Sequence, residues 1–88
     1  MSQLDKILIK IKNNPKSVTF DDMTYFLSAL GYNKDNKGKT SGSRVIFIKE
    51  SEYEKRIIML HKPHPQKEMK AYAVRQVIDQ LKGYGEIQ

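Results

Sequence analysis

The sequence predicts an α+β fold in which helices pack on one face of a small antiparallel sheet. Three observations lead there. Two β-branched and aromatic runs, Val45-Ile46-Phe47-Ile48 and Ile57-Ile58-Met59-Leu60, flank a polar turn over 49–55, the pattern of a hairpin. Three other stretches place apolar residues at helical spacing. The chain has 88 residues, enough for one modest core that buries roughly 64% of the unfolded surface by size scaling. Helices and strands must therefore share that core in a single domain over 1–88.

The elements follow in order. Ser2 caps a first helix whose Leu4, Ile7, Leu8 and Ile11 lie on one face; Asn13, Asn14 and Pro15 end it. So short a helix is marginal alone and must pack on something, in this chain or in a partner. Thr19 and Asp22 form a capping box with a shorter acid than usual. Phe20, Met23, Phe26, Leu27 and Leu30 then stripe a helix over 20–30, and Gly31 suits a left-handed C-cap. Residues 33–43 read as a loop or a weak polar edge strand, with Lys34, Lys37 and Lys39 guarding the edge. The second strong strand ends near His61, because Pro63 and Pro65 cannot donate to a ladder. A last helix is expected from about Glu68 to Lys82, with Val74, Val77, Ile78 and Leu81 facing the core and Gly83 and Gly85 stopping it.

Charge narrows the partners. Lys and Arg total 16 against 10 acids, a formal charge of +6. The stretch 33–75 has eleven of those cations against five acids, so its excess of six equals the net charge. A footprint of this kind commonly meets a polyanion, nucleic acid above all, although solubility alone can also require it. The chain has no Cys, which excludes disulfides, thiolate metal sites and cysteine nucleophiles. No apolar run spans a bilayer and no signal-peptide core stands at the N-terminus, so a soluble cytoplasmic protein is expected. The two histidines, His61 and His64, lack the further ligands a metal site needs; neither a metal nor a cofactor is expected.

His64 lies between two prolines, with Lys62 and Lys67 nearby. The expected helix start near Glu68 offers backbone N–H groups to a phosphate, which puts the imidazole within reach of the sugar. A neutral imidazole there can take the proton of a ribose 2′-hydroxyl, a group RNA has and DNA lacks. A loop histidine that merely packs or binds phosphate fits the same residues. Arg44 can grip a phosphate through two hydrogen bonds and steady charge in a pentavalent transition state, but it is a poor base. His61 reads as structural or as a phosphate contact. The run Gly38-Lys39-Thr40-Ser41-Gly42-Ser43 lacks the order of a nucleotide-binding phosphate loop. Tyr32 and Tyr72 can each stack on a base or fill the core.

Gly42-Ser43-Arg44-Val45-Ile46-Phe47, an apolar strand, then Pro63-His64-Pro65-Gln66-Lys67-Glu68-Met69 and a closing amphipathic helix resemble the HicA toxins of type II toxin–antitoxin systems over about residues 20–82. The resemblance implies a fold like the double-stranded RNA-binding domain, with three antiparallel strands. It also implies an mRNA-cleaving endoribonuclease neutralised by a HicB antitoxin. On this reading 19–82 is the toxin core. Residues 1–18 are an N-terminal helical extension that either caps the core or makes a homodimer contact. The family's usual Gly-Ser-His motif carries its catalytic histidine; here Arg44 stands in that position, whereas His64 matches a histidine of the second motif. The candidate catalytic pair is therefore His64 and Arg44, with Lys39, Ser43, His61, Lys62 and Lys67 as RNA phosphate contacts. A non-catalytic RNA-binding domain, or one that mainly binds an acidic protein, remains the alternative.

Overall fold

Local signals set the helix starts. In the computed structural model, which describes residues 2–35, 44–63 and 65–87, the Ser2 hydroxyl accepts from the Asp5 backbone N–H at 3.1 Å and opens helix α1, Gln3–Asn13. A single 3-10 turn at Pro15–Ser17 follows. Thr19 and Asp22 close a reciprocal box, Asp22 N–H to Thr19 Oγ1 at 3.0 Å and Thr19 N–H to Asp22 Oδ2 at 3.1 Å, at the head of α2, Phe20–Ala29. Two helix-end donors are thereby satisfied. The helix ends where Gly31 takes φ +97° and the Tyr32 N–H returns to the Leu27 carbonyl, a turn that a β-carbon would strain.

Three strands follow: β1 (Asn33–Lys34), β2 (Arg44–Glu50) and β3 (Lys55–His61), then α3 (Ala71–Gly83). The sheet order is β1-β2-β3, antiparallel throughout, and Arg44 pairs with His61 at one end and Glu50 with Lys55 at the other. From α2 to α3 the succession is helix, three strands, helix, consistent with a fold like the double-stranded RNA-binding domain.

The alternation of the strands decides which sheet face meets the helices. Phe47, Ile58 and Leu60 are buried, together with Phe20, Met23, Phe26 and Leu27 of α2 and Val74, Val77 and Leu81 of α3. Ile7 of α1 is also fully buried in that cluster, with Leu4, Leu8 and Ile11 packed against it, so α1 caps the core. The opposite sheet face has Ile46 paired with Met59 and Ile48 with Ile57. Of these, Ile57 and Met59 are nearly half exposed.

One detail departs from expectation. The last helix starts at Ala71, three residues later than Glu68. Glu68 forms a bridge with Thr19, Phe20 N–H donates to the Lys67 carbonyl, and Met69 N–H donates to the Val18 carbonyl. The segment is held extended against the entrance to α2, and Met69 is buried there. Of the two readings open for Tyr32, the structure shows the core one: it is buried and offers no ring to a ligand. Its hydroxyl has no hydrogen-bond partner among the described residues. Burial first, then the nearby Glu86 carboxylate, push its pKa up to about 12.

The C-terminal tail is fastened to the sheet by charge. Lys49 Nζ lies 2.9 Å from both Glu86 carboxylate oxygens, and Arg56 lies 3.0 Å from one of them. The two cations also sit over aromatic rings, Lys49 above Tyr32 and Arg56 above Tyr84.

Candidate functional site

The hairpin register sets the first part of the site. Pairing of Arg44 with His61 puts a guanidinium and an imidazole on neighbouring strands at the same end of the sheet, both exposed. The chain leaves β3 there and runs directly through Lys62 and Pro63 towards His64. Lys62, Pro63, Pro65, Gln66 and Lys67 line a shallow hollow with Thr19, Phe20 and Asp21 at the head of α2. The bridge between Thr19 and Glu68 ties this hollow's two walls together. Arg44, His61 and Lys62 therefore share one end of the sheet, with Lys67 across the hollow from the start of α2. Lys39, Ser43 and His64 lie outside the described residues.

The electrostatics are one-sided. Ion pairs among the described residues engage Lys10, Lys49, Lys55 and Arg56. None engages Arg44, Lys62, Lys67 or Lys70, so these cations keep their charge available to a ligand. The head of α2 is different. Its first turn carries Asp21 and Asp22, which already complement the positive helix end. Burial would raise the Asp22 pKa; the Lys10 ammonium at 3.0 Å and the Thr19 backbone and hydroxyl outweigh burial and hold it below the usual 3.8. That helix end is therefore not offered to a phosphate. The head of α3 has neither an acid in its first turn nor a side-chain cap, and it stands farther along the chain than the sequence suggests.

Lys62 and Pro63 also line a second, more apolar groove between β3 and α3. Here Tyr72 projects, 60% exposed. Its signal in the sequence is a spacing of four: Tyr72, Gln76 and Gln80 form a flank beside the apolar face of Val74, Val77 and Leu81. No cluster of three or more His, Cys, Asp or Glu that could hold a metal occurs among the described residues, and none of their helices is long and apolar enough to cross a membrane.

The topology defines an α+β domain consistent with a fold like the double-stranded RNA-binding domain, with arginine and lysine gathered at one sheet end; architecture alone assigns it no activity. The comparison with known families is more specific. A family described as "HicA toxin of bacterial toxin-antitoxin" matches residues 20–82, and the chain belongs to that family. No curated protein and no solved structure matches the chain.

Proposed function

We propose that the protein is the toxin of a toxin–antitoxin pair, acting in the cytoplasm as a metal-independent endoribonuclease on mRNA and restrained by an acidic HicB-like antitoxin. Family membership over 20–82 supports the toxin role. The observation that supports the chemistry is Arg44 opposite His61, at the sheet end from which the chain runs into His64. In this reading 19–82 is the toxin core and 1–18 a helical extension of the same domain.

A neutral His64 imidazole takes the proton from a ribose 2′-hydroxyl. The 2′ oxygen bonds to the adjacent phosphorus and the bond from phosphorus to the 5′ oxygen breaks. The products are a 2′,3′-cyclic phosphate and a 5′-hydroxyl, the leaving oxygen taking its proton from the imidazolium. Arg44 donates two hydrogen bonds to the non-bridging oxygens, where charge accumulates in the transition state. Lys39, Ser43, His61, Lys62 and Lys67 hold flanking phosphates. No metal or cofactor takes part in these steps.

One observation favours a second reading. Arg44 stands where the resemblance places a histidine, and a guanidinium cannot take a proton near pH 7. RNA binding without cleavage is the result if His64 does not supply the base. Incubation with RNA in excess EDTA separates the two. The expected outcome is fragments ending in cyclic phosphate from RNA, and none when the substrate carries 2′-deoxyribose throughout. Binding without fragments favours the second reading, and equal cutting of the deoxy substrate overturns the mechanism.

A further inference from the structure

We propose that the groove between β3 and α3 is a subsite for one unpaired RNA base next to the reacting phosphate, with Tyr72 as its stacking platform. The inference rests on the RNA reading above and goes beyond it by assigning residues to base recognition.

The strand order leaves β3 as an edge, paired on one side with β2 and open on the other towards α3. The space there has a volume of about 210 Å³, below the roughly 300–1,000 Å³ of sites that enclose a drug-sized molecule. It suits a single planar ring rather than a whole nucleotide. Its floor is apolar, from Met59, Ala73 and Val77. Tyr72 stands at its rim with most of its ring in solvent, a posture that leaves a π-face free to stack. Gln76 and Gln80 follow on the same flank of α3. A glutamine amide both donates and accepts, and so can meet the edge of a base through paired hydrogen bonds.

Charge selects the class of ligand. Lys62 and Lys70 line the groove, His61 adjoins them, and no carboxylate lines it. Acids appear in the linings of adjoining hollows, Asp79 beside Gln76 and Gln80 and Asp21 at the head of α2. An extended peptide could add to the open β3 edge, but two lysines and no acid favour a chain of phosphates. Lys62 lines this groove and also the hollow at the head of α2. A base seated here therefore has its phosphate at the junction of the two, beside the proposed cleavage site.

The test is a fluorescence titration of the full chain with labelled oligo(A), oligo(U) and an abasic oligomer, over a series of salt concentrations. Stacking of one base is worth roughly 1–3 kcal/mol, so Tyr72→Ala weakens oligo(A) binding about 5- to 150-fold. The salt slope stays unchanged, and Tyr72→Phe retains wild-type affinity. The abasic oligomer shows no difference between wild type and Tyr72→Ala. Lys70→Ala instead lowers the salt slope by about 0.7. Wild-type affinity in Tyr72→Ala, with Lys62→Ala still weakened, overturns the base subsite while the RNA reading stands. No binding of any RNA by the wild type overturns both. Tyr72 is exposed, and a thermal melt matching wild type establishes that the variant is folded.

Discussion

Asp22 shows how one residue serves two purposes. It closes the capping box of α2 by accepting the Thr19 N–H, and it holds Lys10 of α1 at 3.0 Å. Because its carboxyl titrates below the usual value in the fold, the folded state binds a proton less readily than the unfolded chain. The stability this contributes is fully present above the unfolded-state pKa near 3.9 and is lost as pH falls through the folded-state pKa. Asp22→Asn is expected to cost about 1 kcal/mol at pH 7, the scale of one net hydrogen bond, since Lys10 is partly exposed. Urea unfolding at pH 7 and below pH 4 checks this, and the gap between variant and wild type should shrink at the lower pH. This residue was legible in the sequence because Thr19 and Asp22 lie three apart and cap locally. The two tyrosines were not separable in that way. Tyr32 is buried beside Lys49 and Glu86, whereas Tyr72 looks outward, and both outcomes depend on contacts distant in sequence.

Among the elements, those defined by their own residues are where the sequence places them. The stripe from Phe20 to Leu27 gives α2, and the β-branched runs give β2 and β3. The start of α3 shifts because its competitor is non-local. The bridge between Thr19 and Glu68 keeps 67–69 extended, and no periodicity within that segment announces a partner almost fifty residues away. The C-terminal latch was hidden for the same reason, since Glu86 meets Lys49 and Arg56 only after folding. Glu86→Gln leaves Lys49 without its carboxylate and Arg56 with Glu54 alone. The expected loss is about 1–2 kcal/mol, below the 3–5 kcal/mol of a fully buried pair, because both cations are partly solvated. Glu54→Gln removes a surface partner of the same Arg56 and should change stability by less than about 0.5 kcal/mol. Urea midpoints of the two variants measure the contrast.

Across the whole molecule, architecture and charge favour one end of the sheet. The hairpin register brings Arg44 beside His61, and the following segment sets Lys62 and Lys67 along one hollow. The basic character of 33–75 was evident from composition, whereas the pairing of Arg44 with His61 required the register of a turn that sequence alone does not specify. The deep core and the one-sided packing of the helices leave this end open to solvent. The proposed chemistry divides into a base, His64, and a charge stabiliser, Arg44, and the two make different demands on a variant. Loss of the Arg44 fork should slow cleavage roughly 10²- to 10³-fold, the scale of one lost transition-state donor, while the base is indispensable. The decisive measurement is the single-turnover cleavage rate of one RNA in EDTA by wild type, His64→Ala and His61→Ala. Cleavage abolished in His64→Ala and retained in His61→Ala is the predicted result; a His64→Ala variant that cuts at the wild-type rate contradicts the assignment of the base.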